Sequence, residues 1–180
     1  YGENLINTYE ILRSEQKKFL ENLSQRTDIN TGTLKDIRRL SMQISARNQI
    51  SGIVELITNG TVNAEVYIKL KSGYTIVSVI TNTAVSNLNL KLGDEVVAIF
   101  KSNTVLITTD ISLNISARNK LQGKVDSINK GEINSELIID IGNGDKVASI
   151  ITSNSIDRLN IKNGAQVSAI IKASDVMIGK

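Results

Sequence analysis

Ser45-Ala46-Arg47-Asn48 occurs twice in this chain, returning unchanged as Ser116-Ala117-Arg118-Asn119. The offset of 71 residues between Ser45 and Ser116 aligns residues 45–109 with 116–180 without a gap, and 25 of those 65 positions are identical. Gly52 falls on Gly123, Gly60 on Gly131, Gly73 on Gly144 and Gly93 on Gly164, while Thr81 falls on Thr152 and Lys101 on Lys172. A fixed period of this kind marks one supersecondary unit used twice. The chain therefore divides into an N-terminal segment, residues 1–43, and two modules, residues 44–113 and 114–180.

Inside each module the apolar spacing has a period of two. Residues 64–70 and 74–80 alternate and are rich in β-branched side chains, with Lys71-Ser72-Gly73 as the hairpin turn between them. The second copy repeats this as residues 136–141, Asn143-Gly144 and residues 146–151. One helical turn is expected at 83–88 and at 154–159, followed by Gly-x-x-Val and two further strands, 96–101 with 105–108 and 167–172 with 176–178. The strand opening each copy runs through Gly52-Ile53-Val54 or Gly123-Lys124-Val125. Five short strands with a helical interruption predict a small Greek-key barrel of the OB type. The fold class is thus mainly β, two tandem OB-like barrels preceded by two helices.

The N-terminal segment reads differently. Leu5, Tyr9, Leu12, Phe19 and Leu23 follow a four-three alternation broken only at Gln16, a helix with a coiled-coil-like seam. The seam fits self-association and packing within the chain equally. Thr33 and Asp36 then form a capping box ahead of Leu34, Ile37 and Leu40, a second short helix.

Composition removes whole classes of function. With no His and no Cys the chain has no imidazole base, no thiolate and no zinc site of the usual ligands. Asp and Glu offer no repeated catalytic pair, so we expect no enzyme, no catalytic cofactor and no metal. A net charge of +3, with no run of Lys or Arg longer than two, gives no basic stripe for nucleic acid. Absence of cysteine fits a reducing compartment, and no apolar run reaches the roughly 20 residues of a spanning helix. The expectation is a soluble cytoplasmic protein without membrane contact. The chain opens on Tyr1 rather than Met, as a piece of a longer protein would.

Polar positions recur with the repeat: Ser45, Ala46 and Arg47 with Ser116, Ala117 and Arg118; Thr81 and Ala84 with Thr152 and Ser155; Lys101 and Ser102 with Lys172 and Ala173. Counting Asn48 and Asn119 of the repeated turn, hydroxyls, amides and cations predominate and carboxylates are missing from these positions, which suits an anion rather than a metal cation. Each also has a plainer reading, as a turn, an N-cap or a solvated strand-end lysine.

Ser-Ala-Arg-Asn followed by an apolar residue and Gly, then Thr in an apolar strand, then Gly-x-x-Val-x-Ala-x-x-Lys, resembles the Mop (TOBE-type) domain of molbindins and molybdate-responsive regulators. The tandem pair behind two helices is similar to ModE-type regulators in particular, and the likeness covers essentially the whole chain. It implies a homodimer that binds molybdate or tungstate between subunits, with Ser45, Ala46 and Arg47 from one chain and Thr81, Ala84, Lys101 and Ser102 from the other. It also implies operator DNA contact only through a helix-turn-helix outside these residues. Ala84 departs from the family's Thr-x-x-Ser, while Thr152 and Ser155 keep it, so the second module is expected to bind as well. The rival readings are a molbindin-like storage protein without DNA binding and a single-strand nucleic-acid binder. The latter is poorly served by barrels whose aromatics are only Tyr67, Tyr74 and Phe100.

Overall fold

The computed structural model describes residues 9–11, 13–16 and 44–180. Residues 9–11 and 13–16 are helical, with exposed side chains that include Tyr9 and Ile11. The rest of the expected seam and the second helix lie outside the described residues.

Residues from Ala46 onward form one compact unit. Its strands are β1 (Asn48–Asn59), β2 (Asn63–Leu70), β3 (Thr75–Thr81), β4 (Glu95–Phe100) and β5 (Leu106–Thr108). The second repeat supplies β6 (Asn119–Asn129), β7 (Asn134–Gly142), β8 (Asp145–Thr152), β9 (Gln166–Ile171) and β10 (Met177–Gly179). A six-residue helix follows β3 and another follows β8, Asn82–Asn87 and Ser153–Arg158, while the 3-10 turns Ser102–Thr104 and Ala173–Asp175 precede β5 and β10. Hairpins and helical turns therefore stand where the alternation places them. The β7–β8 turn runs through Asn143 and Gly144 at φ 51° and 82°, the left-handed pair a two-residue hairpin requires.

Every pairing is antiparallel, in two five-stranded sheets ordered β10-β4-β1-β2-β3 and β5-β9-β6-β7-β8. The fifth strand of each sheet comes from the other repeat. Met177 lies opposite Ile99 in one sheet, and Leu106 lies opposite Ile170 in the other. The sequence reading sets 96–101 with 105–108 inside one module; in the structure β5 leaves β4 and joins β9.

The long strands β1 and β6 hold each sheet together by changing partner midway. Asn48 to Ile53 face β4, whereas Gly52 to Asn59 face β2, with a register shift between Val54 and Leu56 that recurs between Val125 and Ser127. Extra residues of this kind bend a strand and tighten its twist. At the bend the chains approach so closely that a Cβ on Gly52 would lie 2.5 Å from Ile68 Cγ2 and 2.6 Å from the Lys69 carbonyl oxygen. Gly123 is crowded in the same way by Asp140 and Ile139. Only glycine fits. One continuous apolar cluster fills the interior, drawing Val54, Ile68, Ile76 and Phe100 from the first repeat and Leu121, Leu137, Ile139 and Ile171 from the second. Burial at this scale is the main stabilising contribution.

Candidate functional site

Strand exchange lays the repeats against each other along a seam with approximate two-fold symmetry. At its centre stands the last residue of the repeated tetrapeptide. Asn48 Nδ2 donates to the Ala148 carbonyl at 2.8 Å, and the Ala148 N–H donates to Asn48 Oδ1 at 2.7 Å. Asn119 makes the same pair with Val77, at 2.9 and 2.7 Å. An amide side chain thereby imitates a neighbouring strand and satisfies one N–H and one C=O on the outer strand of the other repeat's sheet. Both asparagines are buried. Beside them, Ser78 Oγ donates to the Val176 carbonyl at 2.6 Å and Ser149 Oγ to the Val105 carbonyl at 2.9 Å.

The residues of interest emerge at the two ends of this seam. Asn48 lies opposite Phe100 in the β1–β4 ladder, so Arg47 and Lys101 leave the same sheet end side by side along the backbone. The Lys101 side chain is exposed and has no acidic partner among the described residues. Ser102, next along, is buried in the 3-10 turn, which packs against β8 of the other repeat. Strand β8 ends at Thr152, whose Oγ1 accepts from the Ser155 N–H at 3.2 Å and lies 2.8 Å from Ser155 Oγ. At the other end Asn119 faces Ile171, bringing Arg118 beside Lys172. Ala173 is buried in a turn packed on β3, which ends at Thr81, and there Thr81 Oγ1 accepts from the Ala84 N–H at 3.1 Å. Ser45, Arg47, Thr81, Lys101, Ser116, Arg118, Thr152 and Lys172 are exposed, whereas Ala46, Ala84, Ala117 and Ser155 are half-buried.

Within one chain Lys101 and Ser102 accompany Arg47 at the end of the first repeat, and the turn that holds Ser102 packs on β8 of the second repeat, the strand that ends at Thr152. Thr81 of the first repeat is at the far edge of its own sheet, beyond β2.

Carboxylates reach this site after all. Arg47 Nη2 lies 2.6 Å from Glu136 Oε1, and Arg118 Nη1 lies 3.1 Å from Glu65 Oε1. Glu65 and Glu136 are themselves related by the repeat, lying opposite Val79 and Ile150, two residues before Thr81 and Thr152. Tyr67 adds to the second pair only: its hydroxyl donates to Glu65 Oε2 at 2.7 Å and accepts from Arg118 Nη2 at 3.0 Å. The repeated tetrapeptide points to Asn48 and Asn119, whereas reading residue types at the polar positions misses Glu65, Glu136 and Tyr67. The signal is present for the two glutamates, which are an identity of the repeat.

Chemically, each end offers a guanidinium, a free ammonium and nearby hydroxyls. Such groups hold a fully ionised oxyanion through charge-assisted hydrogen bonds. No cluster of three or more His, Cys, Asp or Glu suited to a metal occurs among the described residues, and no helix among them is long and apolar enough to cross a membrane. A groove of about 440 Å³ beside Tyr74, Gln122, Lys124 and Gln166 contains none of the expected site residues.

Comparison with known proteins places the chain. The model of the TOBE domain matches residues 44–107 and again 115–178. The molybdenum transport protein ModE of Azotobacter vinelandii is 36% identical over 99% of this chain, which spans 68% of that protein's length. Molybdenum-pterin-binding protein 3 of Clostridium pasteurianum is 48% identical over 66 residues, 37% of this chain and 97% of its own. Among solved structures, the cytoplasmic molybdate-binding protein ModG with molybdate bound superposes with a TM-score of 0.74 at 42% identity, covering 77% of this chain and 99% of ModG. These relatives are binding and regulatory proteins, not enzymes. Two matched modules covering most of the sequence, and a whole-chain likeness to ModE, show that this chain belongs to the TOBE domain family as a tandem, two-module member.

Proposed function

We propose that the chain is the ligand-sensing and dimerisation part of a molybdate- or tungstate-responsive transcriptional regulator. Residues 1–43 serve as the dimerising segment, and residues 44–113 and 114–180 are the two oxyanion-binding modules. The ligand shell draws on Ser45, Ala46, Arg47, Lys101 and Ser102 with Thr152 and Ser155, and on Ser116, Ala117, Arg118, Lys172 and Ala173 with Thr81 and Ala84. The charged groups and the threonines of each set are exposed at the seam ends, where a second copy of the chain closes over them and completes the shell at the subunit interface. A tetrahedral dianion without a proton needs donors only, which Lys, Arg and hydroxyls supply. Sulfate has the same charge in a smaller frame, so discrimination rests on cavity size and donor count. Operator contact belongs to a helix-turn-helix outside these residues, which ligand binding shifts through its differential affinity for two arrangements of the dimer.

The observation that carries this reading is the likeness to ModE over 99% of the chain, the N-terminal segment included. A second reading, a cytoplasmic molybdate buffer without DNA binding, is favoured by the likeness to ModG, which covers 77% of the chain.

Thermal shift with molybdate, tungstate and sulfate tests the binding. At a hundred times Kd a ligand of the folded state adds about 2.7 kcal/mol, a rise of several degrees. Molybdate and tungstate should give that rise and sulfate none, and equal curves for all three would refute the assignment. Leu12→Glu, at one position of the four-three apolar alternation in the sequence, separates the two roles. The regulator reading expects monomers by light scattering, the buffer reading an unchanged assembly.

A further inference from the structure

We infer that the two donor sets are unequal, and that the one built on Arg47 takes the oxyanion in preference to the one built on Arg118. The inference rests on the anion-binding reading above and adds which site is used. Along the sequence the repeats look balanced: the first has Ala84 where the second has Ser155, and the second has Ala173 where the first has Ser102. Each repeat thus lacks one hydroxyl that the other has.

The crossing of the chain redistributes those losses. The turn holding Ser102 packs on β8, which leads into Thr152 and Ser155; the turn holding Ala173 packs on β3, which leads into Thr81 and Ala84. Both serines therefore belong to the Arg47 end and both alanines to the Arg118 end. A site with two fewer hydroxyls leaves oxygens of a bound dianion without donors.

The arginines differ in the same direction. Arg118 is tied into a closed triangle with Glu65 and Tyr67, its guanidinium 6.0 Å from the centre of the Tyr67 ring. Arg47 has the single carboxylate of Glu136, because Ile138 occupies the position equivalent to Tyr67 and has no hydroxyl. Its side chain is also the more exposed, 64% against 50%. An incoming anion needs Arg47 to release one partner, whereas Arg118 must leave two that also hold each other. The hydroxyl count and the second partner of Arg118 thus disfavour one end; against this the Arg47–Glu136 pair is the shorter, 2.6 against 3.1 Å, so the preference rests on the two missing hydroxyls and on Tyr67.

Calorimetric titration of the whole chain with sodium molybdate decides the matter. The expected isotherm shows one tight class and a second at least tenfold weaker. Arg47→Gln and Ser102→Ala should each weaken the tight class tenfold or more, while Arg118→Gln should leave it within about twofold. The combined variant Ala84→Ser, Ala173→Ser, Tyr67→Phe should raise the number of tight sites, a gain that misfolding cannot produce. Two equal classes in the unaltered chain, loss of the tight class in Arg118→Gln, or an unchanged count in the combined variant would each overturn the inequality while leaving anion binding intact. No heat from the unaltered chain or the combined variant would instead remove the anion-binding reading, and this inference with it.

Discussion

The seam and its two ends are built by the same duplicated sequence, yet only the seam has remained symmetric. Asn48 and Asn119 bond Ala148 and Val77 in the same way to within 0.1 Å, and Ser78 and Ser149 reach equivalent carbonyls. A few residues away, Tyr67 stands against Ile138, Ser102 against Ala173 and Ala84 against Ser155. A buried polar pair cannot be altered without stranding its partner, so each half holds the other to its form. An exposed end meets water, which replaces whatever donor is lost, and its two copies are free to specialise.

The largest test of that contrast is removal of residues 176–180. This strips β4 of its neighbour, exposes the site of buried Val176 and leaves Ser78 without its acceptor. Apolar burial and the lost hydrogen bonds together amount to about 5 kcal/mol. Although the deletion is in the second repeat, amide exchange should rise first in residues 95–100 of the first. Faster exchange confined to residues 166–171 would contradict the exchanged pairing.

Next in size, Asn48→Ala and Asn119→Ala each strand one buried N–H and one buried C=O. At about 1–3 kcal/mol per group, each should cost roughly 2–6 kcal/mol in urea unfolding, and by similar amounts. Arg118→Gln breaks a largely solvated pair and should cost under about 1 kcal/mol, while Arg47→Gln leaves the more buried Glu136 carboxylate without its cation and should cost about 1 kcal/mol or slightly more, still below the asparagine losses. Arginine losses that match the asparagine losses would erase the distinction between seam and ends.

The smallest effect concerns a tether without a counterpart. Lys180 Nζ lies 2.7 Å from Asp94 Oδ2, a bond that, together with the Lys91 N–H, holds the Asp94 carboxyl below its ordinary 3.8. Its repeat-equivalent positions hold Thr109 and Ala165, which form no such pair. A lowered carboxyl pKa contributes stability that is present above the ordinary value and fades as pH falls through the lowered one. Lys180→Ala should therefore reduce the melting temperature slightly at neutral pH, and the difference from the unaltered chain should shrink progressively as pH falls below 3.8 through the lowered value. A gap that stays undiminished there would assign the effect to packing instead.

Much of this was legible beforehand because it is local. Gly73 and Asn143-Gly144 announce their turns, and Thr81 and Thr152 announce the helices they cap. Alternation places β2, β3, β7 and β8 within a residue or two. The exchange of β5 and β10 was not legible. Each is three residues long, Leu106–Thr108 and Met177–Gly179, and their possible partners β4 and β9 carry similar patterns, so nothing in the strands themselves selects one over the other. The donor positions were visible as repeated polar residues, but their assignment to particular ends depends on that exchange. Glu65 and Glu136 escaped because glutamate on an alternating strand reads as a solvated face.

The connector of residues 109–118, largely exposed, runs from β5 to β6. A protease cut there would not release two products. Each fragment would still add its last strand to the edge of the other's sheet, and the nicked pair should co-migrate until denatured. Fragments prepared separately would have to meet in solution, so their reassembly should depend on concentration where that of the intact chain does not.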